Sequence, residues 1–249
     1  MDREQFNKWA EYIKERDKYM AGLFRSGYDF WECRASLGRC LASKTINQPE
    51  AAIEILKTVV DVEVADGPGC DSSMTEIEAK AWAMQYLGVC VWKVSKDAQK
   101  ALHYTDMALH LAESTNRRYC FISRGEIWSN RLFFLKQLNQ MESALGEAQE
   151  KVALVQRGEV KSQSYAYYGY IFIARHEAEF GDLGQALQYL KQAFNYFPGE
   201  YWTLGEVEMV WRARAADMQG AFQQMTAIAE RNWCWGDWWD EPTEVAESG

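Results

Sequence analysis

The chain has 249 residues, 48% of them hydrophobic, enough to bury a substantial core and too many for a globally disordered polymer. With 36 acidic against 27 basic residues the formal charge is −9, a sign that opposes the counterion release driving nucleic-acid affinity, so no direct nucleic-acid partner is expected. Only four prolines interrupt long stretches rich in Ala, Leu, Glu, Gln, Lys and Met, which predicts an all-α class.

The start, Met1-Asp2-Arg3-Glu4-Gln5, lacks the basic, apolar and small-residue sections of a secretory signal, and no apolar run approaches the ~18 residues that cross a bilayer. A cytoplasmic protein with no membrane partner is expected. Residues 2–25 predict an amphipathic helix with Phe6, Trp9, Ile13 and Met20 near one face, packing as a cap over the elements that follow.

From there the chain alternates between two kinds of helix. A first helix is predicted over Tyr28 to Ser43, and Pro49 then opens a second that carries Ala52, Ile55, Leu56 and Val59 on one side. Asp66-Gly67-Pro68-Gly69-Cys70-Asp71-Ser72-Ser73 reads as an exposed excursion. Thr75 to Val94 is the next first helix, followed by a second helix with Ala101, Leu102, Thr105, Ala108 and Leu109. Tyr119 to Leu138 precedes Ala144, Leu145, Ala148 and Val152. The clearest unit runs from Tyr165 to Pro198. Its first helix, predicted from Ser164 to Phe180, is followed by the turn Gly181-Asp182-Leu183-Gly184. Its second helix places Ala186, Leu187, Leu190, Ala193, Phe194 and Phe197 on one face before Pro198-Gly199 ends it. Trp202 to Met218 and a last helix with Ala221, Phe222, Met225, Ile228 and Ala229 complete about five hairpins. Leu37-Gly38 and Leu87-Gly88 place a small residue where the helices of a hairpin can approach closely.

In this pattern the chain resembles the tetratricopeptide repeat (TPR) family, through Tyr170, Ala174, Ala186, Leu190, Ala193 and Pro198 in the fourth hairpin, and through Leu87, Gly88, Ala101 and Ala108 in the second. The first three intervals between second-helix alanines are wider than the ~34 residues of that family, so longer helices or loops are expected. The resemblance implies a single α-solenoid domain, with residues 1–27 as an N-terminal cap, 28–231 as TPR-like hairpins and 232–249 as a Trp-rich C-terminal cap and frayed tail. It also implies a concave groove lined by first helices, with Arg39, Gln85, Trp92, Asn130, Phe133, Tyr168, Phe172, Arg175 and Arg214 facing inward. Against this, aromatic residues at helical spacing also serve to pack hairpin on hairpin. The family's clamp of lysines and asparagines for a C-terminal carboxylate is not reproduced, since the matching positions hold Gln85, Val89, Ile171 and Arg175; heat-shock-protein C-termini are not an expected ligand.

No chemistry-bearing motif stands out. His103 and His110 share a helix face seven residues apart, which separates their rings by about 10 Å, too far for one ion. His176 is remote from both. Cys33, Cys40, Cys70, Cys90, Cys120 and Cys234 contain no C-x-x-C pair and read as reduced, mostly buried thiols. Arg117-Arg118 is a solvated surface pair. No phosphate-cradling glycine motif or nucleophile elbow occurs, and Glu177 with Glu179 does not single out an acid–base pair. The segment Trp233-Cys234-Trp235-Gly236-Asp237-Trp238-Trp239, with four tryptophans in seven residues, reads either as a lid over the last hairpin or as a ligand-like stretch that occupies the groove. The expectation is a non-enzymatic protein- or peptide-binding scaffold, without cofactor or metal, monomeric or homodimeric. The alternative is an intracellular sensor of a short peptide or metabolite.

Overall fold

The computed structural model describes residues 31–43, 46–61, 76–114 and 123–196, with a few further positions between 21 and 25 and between 212 and 224. Most of the expected N-terminal cap, the 66–73 excursion, Arg117-Arg118, most of the fifth hairpin, Arg214 and the tryptophan tail lie outside the described residues. Among the described residues helix is the only regular structure, in eight elements: α1 (Trp31–Ala42), α2 (Pro49–Val60), α3 (Glu76–Ser95), α4 (Ala98–Ser114), α5 (Arg124–Gln137), α6 (Met141–Gln156), α7 (Gln163–Phe180) and α8 (Leu183–Asn195). None of them is long and apolar enough to cross a membrane.

Two of the even-numbered helices open on an aspartate cap. Asp97 Oδ1 accepts from the Lys100 amide at 2.9 Å ahead of α4, and Asp182 Oδ1 accepts from the Gln185 amide at 2.8 Å ahead of α8. Such caps are each worth about 1 kcal/mol. In α2 the N1 position is instead filled by Pro49, whose missing N–H is one the helix could not use. The amide that closes the first turn always belongs to an alanine: Ala52 onto Gln48, Ala101 onto Asp97, Ala144 onto Gln140 and Ala186 onto Asp182. Asp217 and Ala221 repeat the device further on, with Gly220 N donating to Asp217 Oδ1 at 2.8 Å. All five alanines are completely buried. A methyl group suffices there because the neighbouring backbone stands close: a Cβ built on Gly88 would lie 2.8 Å from the Ala101 carbonyl oxygen. Gly38 is likewise pressed against the Leu56 side chain, as its place in the first hairpin predicts. Gly169 makes the same kind of approach to Val152, across hairpins and without a Leu-Gly pair to announce it.

The odd-numbered helices differ in kind. α4, α6 and α8 bury one stripe, such as Ala144, Ala148, Val152 and Val155. In α3 every residue from Ala83 to Val91 is buried, and in α5 the buried run is Gly125 to Asn130 followed by Leu132 to Leu135. A helix buried on all sides lies within the packing and has no polar face to give it a period. Expected boundaries agree within a few residues except at α5, which opens at Arg124 with Ser123 as its cap rather than at Tyr119.

Adjacent odd-numbered helices run in the same direction. Gln85 meets Glu126 and, seven residues on in each helix, Trp92 meets Phe133. Between α5 and α7, Gly125 meets Ser164 and Lys136 meets Glu179. The apolar core follows this order. One cluster is shared by α1, α2 and α3, another runs from Val89 to Ala221, and Ala81, Met84, Ala108, Ala112 and Ile127 bridge α3, α4 and α5. Fully buried side chains such as Leu56, Ile127 and Phe134 each contribute roughly 1.5–3 kcal/mol.

Candidate functional site

Eight of the nine residues expected to face a groove are described, and they fall along the odd-numbered helices: Arg39 on α1, Gln85 and Trp92 on α3, Asn130 and Phe133 on α5, and Tyr168, Phe172 and Arg175 on α7. Trp92 is half-buried and the other seven are buried. Some are brought together. The Arg39 guanidinium stands 5.9 Å from the Trp82 ring, Gln85 Nε2 donates to Glu126 Oε1 at 2.9 Å, and Trp92 meets Phe133 edge-on at 5.7 Å. Arg175 Nε donates to Glu179 at 2.9 Å, and Glu179 also accepts from Lys136 Nζ on α5 at 2.7 Å. These two cations hold the Glu179 carboxylate below its ordinary pKa although burial pushes the other way. Tyr168 packs edge-on against its neighbour Tyr167 at 4.9 Å.

Glu126 belongs to this row and was not singled out. Ser123-Arg124-Gly125-Glu126 has the spacing of a capping box, and Ser123 Oγ does accept from the Glu126 amide at 3.2 Å. The carboxylate is used elsewhere, crossing to α3 to accept from Gln85 and, at 3.4 Å, from Tyr86 Oη. Burial lifts its pKa from 4.5 to about 7, against the opposing pull of Gln85, Arg39 and Tyr86.

One turn further along the same face stands Asn130, completely buried, whose Nδ2 and Oδ1 both lack a hydrogen-bond partner. Trp92 Nε1 on α3 and His176 Nδ1 on α7 are buried in the same condition. A buried polar group left unpaired costs about 1–3 kcal/mol, so each of these atoms is a cost to the fold.

Elsewhere several partly exposed charged groups are paired in clasps between helices. Arg131 on α5 joins Asp106 on α4 to Glu147 on α6, and Glu147 also accepts from Trp128 Nε1 at 2.7 Å. Tyr165 on α7 donates to Glu113 on α4 at 2.7 Å beneath Lys151, and burial together with that bond pushes its phenol pKa up. Of the histidines, His103 leans on Tyr104 at 5.9 Å and His176 on Phe180 at 5.3 Å. Among the described residues no group of three or more His, Cys, Asp or Glu side chains is arranged to hold a metal ion. No protein-family model matches the chain, and no curated protein or solved structure shows significant similarity to it.

Proposed function

We propose that the chain is an α-solenoid of TPR-like hairpins, and that the face built by α1, α3, α5 and α7 holds an extended peptide segment of a protein partner. The observation that carries this reading is Asn130, a buried carboxamide with its donor and its acceptor both unpaired. A peptide group presents one acceptor and one donor, the complement of a carboxamide. Trp92 and Phe133 supply an aromatic anchor beside it, and Arg39 and Arg175 place cationic groups on the first and last helices of the row. The role needs no cofactor and assigns no catalysis.

The burial of the row favours a particular form of the reading. A segment reaches Asn130 only when the structure around it parts, so binding is coupled to a change of shape, as in a sensor whose curvature answers to a short peptide or metabolite. The test is a thermal-shift screen of the full-length protein against peptide and metabolite libraries, repeated with Asn130→Leu. A ligand at 100 times its Kd adds about 2.7 kcal/mol to stability. Peptides that stabilise the parent and not the variant support the assignment. A screen in which nothing stabilises the parent, or in which both proteins respond alike, overturns it.

A further inference from the structure

A second place on the molecule combines shape and chemistry away from the odd-helix row. The stripe Ala186, Leu190 and Ala193 on α8 is buried, and other positions of that helix, Gln185, Gln188, Tyr189 and Gln192, form one wall of a cleft. Gln156, the last residue of α6, and Tyr170 of α7 form the other. The cleft opens to solvent and has a volume of about 470 Å³, inside the range of roughly 300–1,000 Å³ typical of small-molecule sites.

Its lining is four carboxamides and two phenols, with no charged side chain. The Tyr170 ring stacks on that of Tyr189 at 6.1 Å and on that of Tyr196 at 6.0 Å, with a tilt of 29° in each pair. Tyr170 is buried while Tyr189 is half-exposed. Gln156 Nε2 donates to Tyr170 Oη at 2.6 Å, which orients that carboxamide and leaves the phenolic hydrogen to point at another acceptor.

From this lining we infer that the cleft binds a neutral saccharide of one or two rings. A charged ligand would give up hydration without meeting a counter-charge. An apolar ligand would strand the carboxamides. A sugar ring has a C–H face to lie on Tyr189 and hydroxyls that donate and accept, as carboxamides do. A proline-rich segment can also dock on aromatic ridges, but its prolines bring acceptors alone and leave the four glutamine oxygens unmatched.

The experiment is ligand-observed saturation-transfer NMR on the full-length protein with maltose, cellobiose, N,N′-diacetylchitobiose and decaproline, each at about 10 mM, a concentration that reveals millimolar affinities. It is repeated with Tyr189→Ala and with Gln188→Ala/Gln192→Ala, whose folding is checked by circular dichroism. At least one disaccharide should show transfer, weakened about tenfold or more in both variants. That transfer should be unchanged between about 20 and 500 mM salt, since no fixed charge takes part. The assignment is overturned if none of the three sugars shows transfer, if the variants bind like the parent, or if decaproline alone is bound.

Discussion

Gln85 on α3 donates to Glu126 on α5 at 2.9 Å, a bond that joins the second hairpin to the third with both side chains out of water. Burial lifts the Glu126 pKa to about 7, while Gln85 and Tyr86 on α3 and Arg39 on α1 favour the ionised form. The folded chain therefore keeps a proton that the unfolded chain releases near pH 4.5. Where the native state binds more protons, stability falls as pH rises. The contribution is present in full below about 4.5, declines through about 7 and is level above it, with a span of about 3 kcal/mol. Glu126→Gln keeps an acceptor for Gln85 and removes the titration. Urea unfolding at pH 5 and pH 8 should show this decline in the parent and a flatter profile in the variant.

Two glycines in neighbouring helices should answer alanine with opposite signs. A Cβ on Gly125 would sit 2.5 Å from the Ser164 carbonyl carbon, and backbone cannot turn aside as a side chain can. Overpacking of that kind costs about 1–3 kcal/mol, more than the ~1 kcal/mol that alanine gains in a helix. Gly146 in α6 has nothing within 4 Å of the same position. Denaturant midpoints should fall for Gly125→Ala and rise for Gly146→Ala.

Asn130 offers a case where removing a polar side chain is expected to strengthen the fold. Replacing an unpaired buried carboxamide by the similarly sized leucine recovers about 1–3 kcal/mol. Chemical denaturation of Asn130→Leu should show a higher midpoint. A lower one would mean that the carboxamide supports the packing, and would remove the ground for placing a peptide there.

Glu147 serves two donors, Arg131 Nε at 3.0 Å and Trp128 Nε1 at 2.7 Å. Glu147→Ala strands a buried indole N–H and should cost about 1–3 kcal/mol. Glu147→Gln retains an acceptor for Trp128 and should cost less. Equal losses in calorimetry would place the value of the contact in the ion pair, which is partly exposed and so expected to be weak.

The two kinds of helix were unequally legible in the sequence. Even-numbered helices announce themselves because one stripe is buried and the rest meets water, so Ala101, Ala144 and Ala186 recur at the start of an interpretable pattern. α3, α5 and α7 are enclosed, and enclosure erases periodicity; their extents followed mainly from the even-numbered helices and the turns between them. Of the proposed site, Arg39, Gln85 and Asn130 were reached through the family resemblance, whereas nothing in the sequence around Glu126 shows that its carboxylate crosses to α3. The glutamine cleft could not be anticipated from Gln185, Gln188 and Gln192 alone. Its opposite wall, Gln156 and Tyr170, comes from other helices.

The buried alanine that starts each even-numbered helix has a consequence for how this molecule can change over generations. Where the helix packed against it meets only a methyl group and a close backbone, as Gly88 meets Ala101, the joint asks little of the surrounding sequence. It needs only that the aspartate or glutamine and the alanine four residues later arrive together, so the loop before them is free to vary in length and sequence. The enclosed odd-numbered helices are held more tightly, because a carboxamide or carboxylate there must still meet its partner on the next helix, as Gln85 meets Glu126.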